Sequence, residues 1–238
     1  MAIEKINMQL AGLPPAWMSR IVGQTGAFGN ATEIKKLLGE PIPQLIDPET
    51  LPPELAAFFA SNGILERLRR KLARLTGRRG GKIFPAKNTI ASVDDEDNLY
   101  VGVDFLEQFG QDEDLLAGIL SHEWGHMISD LPRGKDWSHL TWDEVFALRR
   151  DEEADADGFA GRVLYLFGYR PDAMMEFLKM IDRRKKNKKL ATHKYHNTAT
   201  RVEILRQSFK ASERALKTAQ RLFTRKHGPK FGRVLGDG

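Results

Sequence analysis

Two histidines four residues apart, His122 and His126, lie in the run LSHEWGHMIS with Glu123 directly after the first. On an α-helix, residues at that spacing share a face, so both imidazoles can point at one ion while Glu123 reaches its open position without binding it. The surrounding pattern predicts such a helix. Asp112 is a plausible N-cap, and Leu115, Leu116, Ile119 and Leu120 supply a buried face. A helix of this kind must pack against another element that completes the set of donors. The bland alternative is two exposed helical histidines with an incidental glutamate.

Two neutral imidazoles, a nearby carboxylate base and room for water match what a zinc peptidase needs. Zinc would bring a water acidified to a pKa of roughly 7. The chain of 238 residues has no cysteine, so any metal must be held by nitrogen and oxygen donors. A further donor is expected downstream, in RRDEEADADGFAG, which offers Asp151, Glu152, Glu153, Asp155 and Asp157. So many acids in two helical turns repel one another unless a cation compensates. The flanking Val145, Phe146, Leu148, Phe159, Val163 and Leu164 argue that some of them face inward. Glu153 and Asp157 share a face; one can bind metal while the other accepts the free N–H of a ligand histidine.

The coarse organisation follows from breakers and periodicity. Residues 1–60 carry many prolines between short apolar stretches, which predicts short helices near 15–23 and 31–38. A helix is expected over Pro53–Leu75, interrupted near Gly63, and a turn over Gly77–Gly81. The stretches IFPAKNTIASV and NLYVGV read as two strands joined by the acidic turn at 94–97. Further helices are expected over about 141–167, 171–185 and 198–223, with Gly168 at a left-handed cap. The domain division is 1–80 as an N-terminal extension packed on the body, 81–223 as the catalytic domain and 224–238 as a basic tail. The fold class is α+β, mostly helical, with a small sheet over the histidine-bearing helix.

Residues 84–205 resemble the HtpX-type gluzincin peptidases, the family of the CAAX prenyl proteases and their soluble periplasmic relatives. Four segments carry the resemblance, in the family's order: KNTIASVDDEDNLYVGVDFLEQF, QDEDLLAGILSHEWGHM, EADADGFAGRVLYLFGYRP and THKYHNTATRVEIL. The resemblance implies a zincin-like fold and zinc held by His122, His126 and Glu153, with Glu123 as general base. It implies Asp157 and Arg201 behind the ligands, His196 beside the reacting carbonyl, and a substrate-binding edge strand at Asn88 to Val93 that includes Ala91. A second register of the acidic helix would make Asp151 the ligand; the spacing to Gly168-Tyr169 favours Glu153. Asn197 stands where the family has proline, and the first 80 residues match no part of it.

The resemblance implies a zinc endopeptidase acting on proteins or peptides. The alternative is a latent or non-catalytic zinc module, recruited to acidic partners through the basic runs at 67–79 and 183–189. Those runs read first as a solvated helix face and a helix C-terminus, because neither has the interleaved aromatics that stack nucleic-acid bases; the partner they would offer is an acidic membrane surface rather than nucleic acid. A lid formed by residues 1–60, or His196, would account for latency. No apolar run approaches the roughly 20 residues that span a bilayer. The chain therefore reads as soluble, and as cytoplasmic unless a secretion signal precedes this numbering.

Overall fold

A computed structural model of the chain describes residues 43–129, 142–184 and 195–227. The expected helices near 15–23 and 31–38, the end of the tail and most of the 183–189 basic run lie outside the described residues. What is described is an α+β arrangement: a four-stranded sheet with helices packed on it and on one another.

The chain enters as a short strand, β1 (Gln44–Leu45), followed by a turn of 3-10 helix at Pro48–Thr50. Helix α1 (Pro53–Phe59) starts on proline, whose fixed φ suits a first turn. Helix α2 (Ile64–Thr76) begins after Gly63, so the interruption expected there is a full break. Leu65, Leu68 and Leu72 bury one face of α2, and Gly77, at φ 70°, ends it in a left-handed cap.

Strands β2 (Ile83–Lys87), β3 (Ala91–Val93) and β4 (Leu99–Gly102) complete the sheet in the order β1-β2-β4-β3. Here the structure corrects the sequence reading. IFPAKNTIASV is two strands, broken at Asn88, whose φ of 61° is left-handed. β2 runs parallel to β4, while β3 returns antiparallel along the other side of β4. The link between them passes directly over Gly102: its N–H donates to the Ile90 carbonyl at 2.9 Å, and a Cβ there would lie 1.9 Å from the Thr89 oxygen. Only glycine fits beneath that crossing. Asn88 thus sits in a turn, whereas Ala91 lies in β3, at the sheet's edge.

The β3–β4 turn is held by Asp94. Its carboxylate accepts from the backbone N–H of Glu96 and Asn98, from the Asn98 amide and from the Tyr100 hydroxyl at 2.7 Å. Those four bonds hold the Asp94 carboxyl below its ordinary pKa although burial pushes it up, and burial with the Asp94 charge raises the Tyr100 phenol to about 12.

Helix α3 (Val103–Phe109) leads into α4 (Glu113–Ile128), the histidine-bearing helix. Asp112 caps it, accepting from the Leu115 N–H at 3.0 Å. α4 is buried almost all round, with α2 and β3 on one side and two later helices on the other. Those are α5 (Trp142–Leu166) and α6 (Asp172–Arg184). The last helix, α7 (Thr198–His227), lies along α5. Trp124 is fully buried and donates its indole N–H to the Thr76 hydroxyl at 3.0 Å, which ties α4 to the end of α2. The core of Leu65, Leu72, Leu116, Leu120, Met127, Leu164 and Leu205 therefore runs continuously from the described N-terminal part to α7.

Candidate metal centre

The site forms where α4 crosses α5. Gly125 meets Ala156 so closely that a Cβ on the glycine would sit 2.8 Å from the Ala156 Cα. That approach draws the two helices together between the two histidines. It lets side chains as short as those of Glu153 and Asp157 span the gap.

His122 Nε2 lies 3.2 Å from His126 Nε2, Glu153 Oε2 lies 3.3 Å from His122 Nε2, and Glu153 Oε1 lies 3.7 Å from His126 Nε2. All three residues are buried, and their donor atoms fall within 4.8 Å of one another. Ligands about 2.0–2.1 Å from a tetrahedral ion stand about 3.3–3.4 Å apart, so the spacing fits a metal. The protonation logic points the same way. His122 Nδ1 is 3.0 Å from Asp157 and His126 Nδ1 is 3.2 Å from Glu152; both approaches are close, though neither N–H is aimed squarely at its carboxylate. Each Nδ1 facing an anion carries the proton of a neutral imidazole, which leaves both Nε2 lone pairs turned toward each other and toward Glu153. Glu153 Oε2 is buried without a hydrogen-bond donor. Three converging electron pairs repel unless a cation or a proton lies among them, and this buried His-His-Glu group could hold a metal ion.

Behind each histidine stands a carboxylate, and behind each carboxylate an arginine. Arg201 donates through Nε and a terminal nitrogen to both oxygens of Asp157, at 2.6 and 2.8 Å. Arg149 pairs with Glu152 and stands 3.9 Å from Glu153. Glu152, Glu153 and Asp157 outnumber the buried Arg149 and Arg201 by one charge. With Glu123 at the rim the excess is two, which a divalent cation balances.

The electrostatics follow from this packing. Burial pushes the Glu153 carboxyl up, but His126, His122 and Arg201 outweigh it and hold it far below the usual carboxylate range. Burial likewise opposes ionisation of Asp157, and Arg201 with His122 keeps it low. Glu152 is lowered against its burial by His126 and Arg149. Burial alone would lower His122, yet Asp157 and Glu153 raise it to about 10. A proton on His122 thus answers in metal-free protein the crowding that a cation answers otherwise.

A cleft of about 180 Å³ opens on the site. His122, His126, Glu123, Glu153 and Arg201 line its polar side. Ile119 of α4 and Met174, Phe177, Leu178 and Ile181 of α6 form an apolar wall, and Ile90, Ala91 and Ser92 of the β3 edge close the rim.

The structure therefore brings together His122, Glu123, His126, Glu153, Asp157, Arg201 and Ala91 of the residues singled out in the sequence. Three fall elsewhere. Asp151 is exposed on α5, Asn88 occupies the strand break, and His196 is half-buried but absent from the cleft lining. Its neighbour Tyr195 lines the cleft instead, its ring 5.0 Å from the Arg201 guanidinium. Sequence reasoning offered Glu152 only as one of five acids and did not name Arg149; the signal available was their spacing of three on the same acidic helix, an ion-pair spacing. None of the described residues 43–60 lines the cleft, and β1 pairs with β2 on the far edge from β3. The lid expected of residues 1–60 is thus not formed by 43–60, and residues 1–42 lie outside those described.

Comparison with family models, with curated proteins and with solved structures found no match. Among the described residues no helix is long and apolar enough to cross a membrane.

Proposed function

We propose that the chain is a zinc-dependent endopeptidase with a zincin-like body, of the HtpX-type gluzincin kind. The observation that carries this is the convergence of His122, His126 and Glu153 within 4.8 Å, with Glu123 lining the same cleft. A purely structural site is closed by its protein ligands and has no use for a carboxylate at its rim. Zinc suits two imidazoles and one carboxylate, and when bound it would supply Lewis acidity toward a carbonyl and a water acidic enough to react at neutral pH.

The chain's own residues do the rest. Glu123 accepts a proton from the attacking water and returns it to the departing amine, as a general base and then a general acid. Glu152 and Asp157 fix the rotation and tautomer of His126 and His122, and Arg149 and Arg201 keep those carboxylates ionised despite their burial. The β3 edge at Ala91 and Ser92 offers backbone pairing to an extended substrate. The wall of Ile119, Met174, Phe177 and Leu178 favours an apolar substrate side chain beside the scissile bond. Because Tyr195 lines the cleft and His196 does not, Tyr195 takes the role beside the reacting carbonyl in this reading. Cleavage of unfolded casein tests the reading: activity should vanish with a chelator and return with zinc, and casein left intact by zinc-loaded protein would refute it.

A further inference from the structure

The last helix outruns the body it packs on. In its first half Val202 and Leu205 are buried, Arg201 reaches Asp157, and Phe209 meets Tyr165 edge-on with centroids 5.3 Å apart. From Arg214 to Leu222 every residue is exposed, including Leu216 at 45% and Leu222 at 62%. The helix continues to His227.

This projecting stretch is sorted by chemistry. At 100° per residue, Lys210, Arg214, Lys217 and Arg221 fall within an arc of about 60°. Ala211, Ala215, Leu216, Ala219 and Leu222 occupy a separate arc of about 140°. The one acid between 210 and 222 is Glu213, paired with Lys217 at 2.7 Å. Among the described residues nothing covers either arc.

Of the basic runs singled out in the sequence, 67–79 is partly spent within the fold. Arg69 bonds Glu66 and the Arg79 carbonyl, Arg78 bonds Asp97, Arg67 pairs with Glu113, and Lys71 lies over the Phe167 and Tyr169 rings. Of the four cations in the projecting arc of α7, one, Lys217, is paired with an acid, and the arc lies opposite the apolar one.

We propose that the projecting half of α7 docks on an anionic lipid surface, lying in its plane with Leu216 and Leu222 at the acyl boundary and the basic arc on the phosphates. A cationic face opposite an apolar one, on a helix otherwise in water, is the pattern that binds such interfaces. Two other occupants fit less well. Ala215, Ala219 and Leu222 keep a four-and-three spacing, but two of the three are alanines that bury little apolar area, which disfavours a second copy. No aromatic lies between 210 and 222 to stack on nucleic-acid bases. The inference does not depend on the peptidase reading.

The test is flotation of the full chain with vesicles of phosphatidylcholine, with and without phosphatidylglycerol. The protein should float with the mixed vesicles only, and less as salt rises. Replacing Lys210, Arg214, Lys217 and Arg221 together by Gln should weaken binding at least about tenfold. Leu216→Ser with Leu222→Ser should weaken it with the charge intact. All six positions are exposed, and an unchanged melting temperature verifies the fold of each variant. Equal flotation with neutral vesicles, flotation of the charge variant like the native chain, or no flotation at all would overturn the proposal. So would a dimer in sedimentation that depends on Leu222 without any lipid binding.

Discussion

Arg201 and Asp157, 44 positions apart in sequence, meet through two parallel hydrogen bonds in a place where both side chains are buried. The pair fastens α7 to α5, and it leaves Asp157 ionised and within 3.0 Å of His122. One contact therefore serves both fold and site.

Removing either partner separates those roles. Arg201→Met strands a buried carboxylate and should cost about 3–5 kcal/mol of folding stability. Asp157→Asn keeps the volume and part of the hydrogen bonding. It should lower zinc affinity about 10- to 100-fold with a smaller loss of stability. Denaturant unfolding and a competitive zinc titration read the two effects.

The acidic helix offers a direct comparison of neighbours. Glu153→Ala should abolish stoichiometric zinc binding, whereas Asp151→Ala, at an exposed position, should leave it within about twofold. Glu152→Gln should weaken zinc about 10- to 100-fold, as Asp157→Asn does, because each carboxylate orients one histidine. Zinc retained by Glu153→Ala and lost by Asp151→Ala would place the ligand in the other register.

Much of this site was legible in the sequence because its chemistry is tied to helical spacing. His122 and His126 one turn apart, and Glu153 and Asp157 one turn apart, fix two faces that must meet. The spacing of a helix does not reveal how far it is rotated, so Glu152, one residue off that face, was not distinguished from Asp151 or Asp155. Tyr195 and His196 precede α7, where no periodicity tells which of two neighbours turns inward. The strand break at Asn88 was hidden for a different reason: IFPAKNTIASV has the composition of one strand, and only the left-handed Asn88 and the crossing over Gly102 reveal two.

Tyr195 and His196 can be separated by kinetics. Tyr195→Phe should lower kcat about 10²-fold with zinc content and KM little changed, the signature of an interaction made in the transition state. His196→Ala should leave kcat within a few-fold. The reverse result would restore His196 to the cleft.

The Asp94 turn sets an acid limit. Its folded pKa is depressed, so its contribution is present above the ordinary value of 3.8 and is lost as pH falls through the lower folded value. Asp94→Ala should cost about 1–2 kcal/mol near neutrality, reduced by the turn's partial exposure. The gap from the native chain, followed by thermal melting, should narrow as pH drops below 3.8.

Zinc content and casein cleavage, measured on the same preparations of the native chain and of Glu123→Gln, bear most directly on the proposed mechanism. Glu123 lines the cleft but is no part of the donor group, so its replacement removes proton transfer alone. One zinc per chain is expected in both proteins, with cleavage by the native chain and a loss of at least about 10³-fold in the variant. Cleavage at the native rate by zinc-loaded Glu123→Gln would contradict the mechanism.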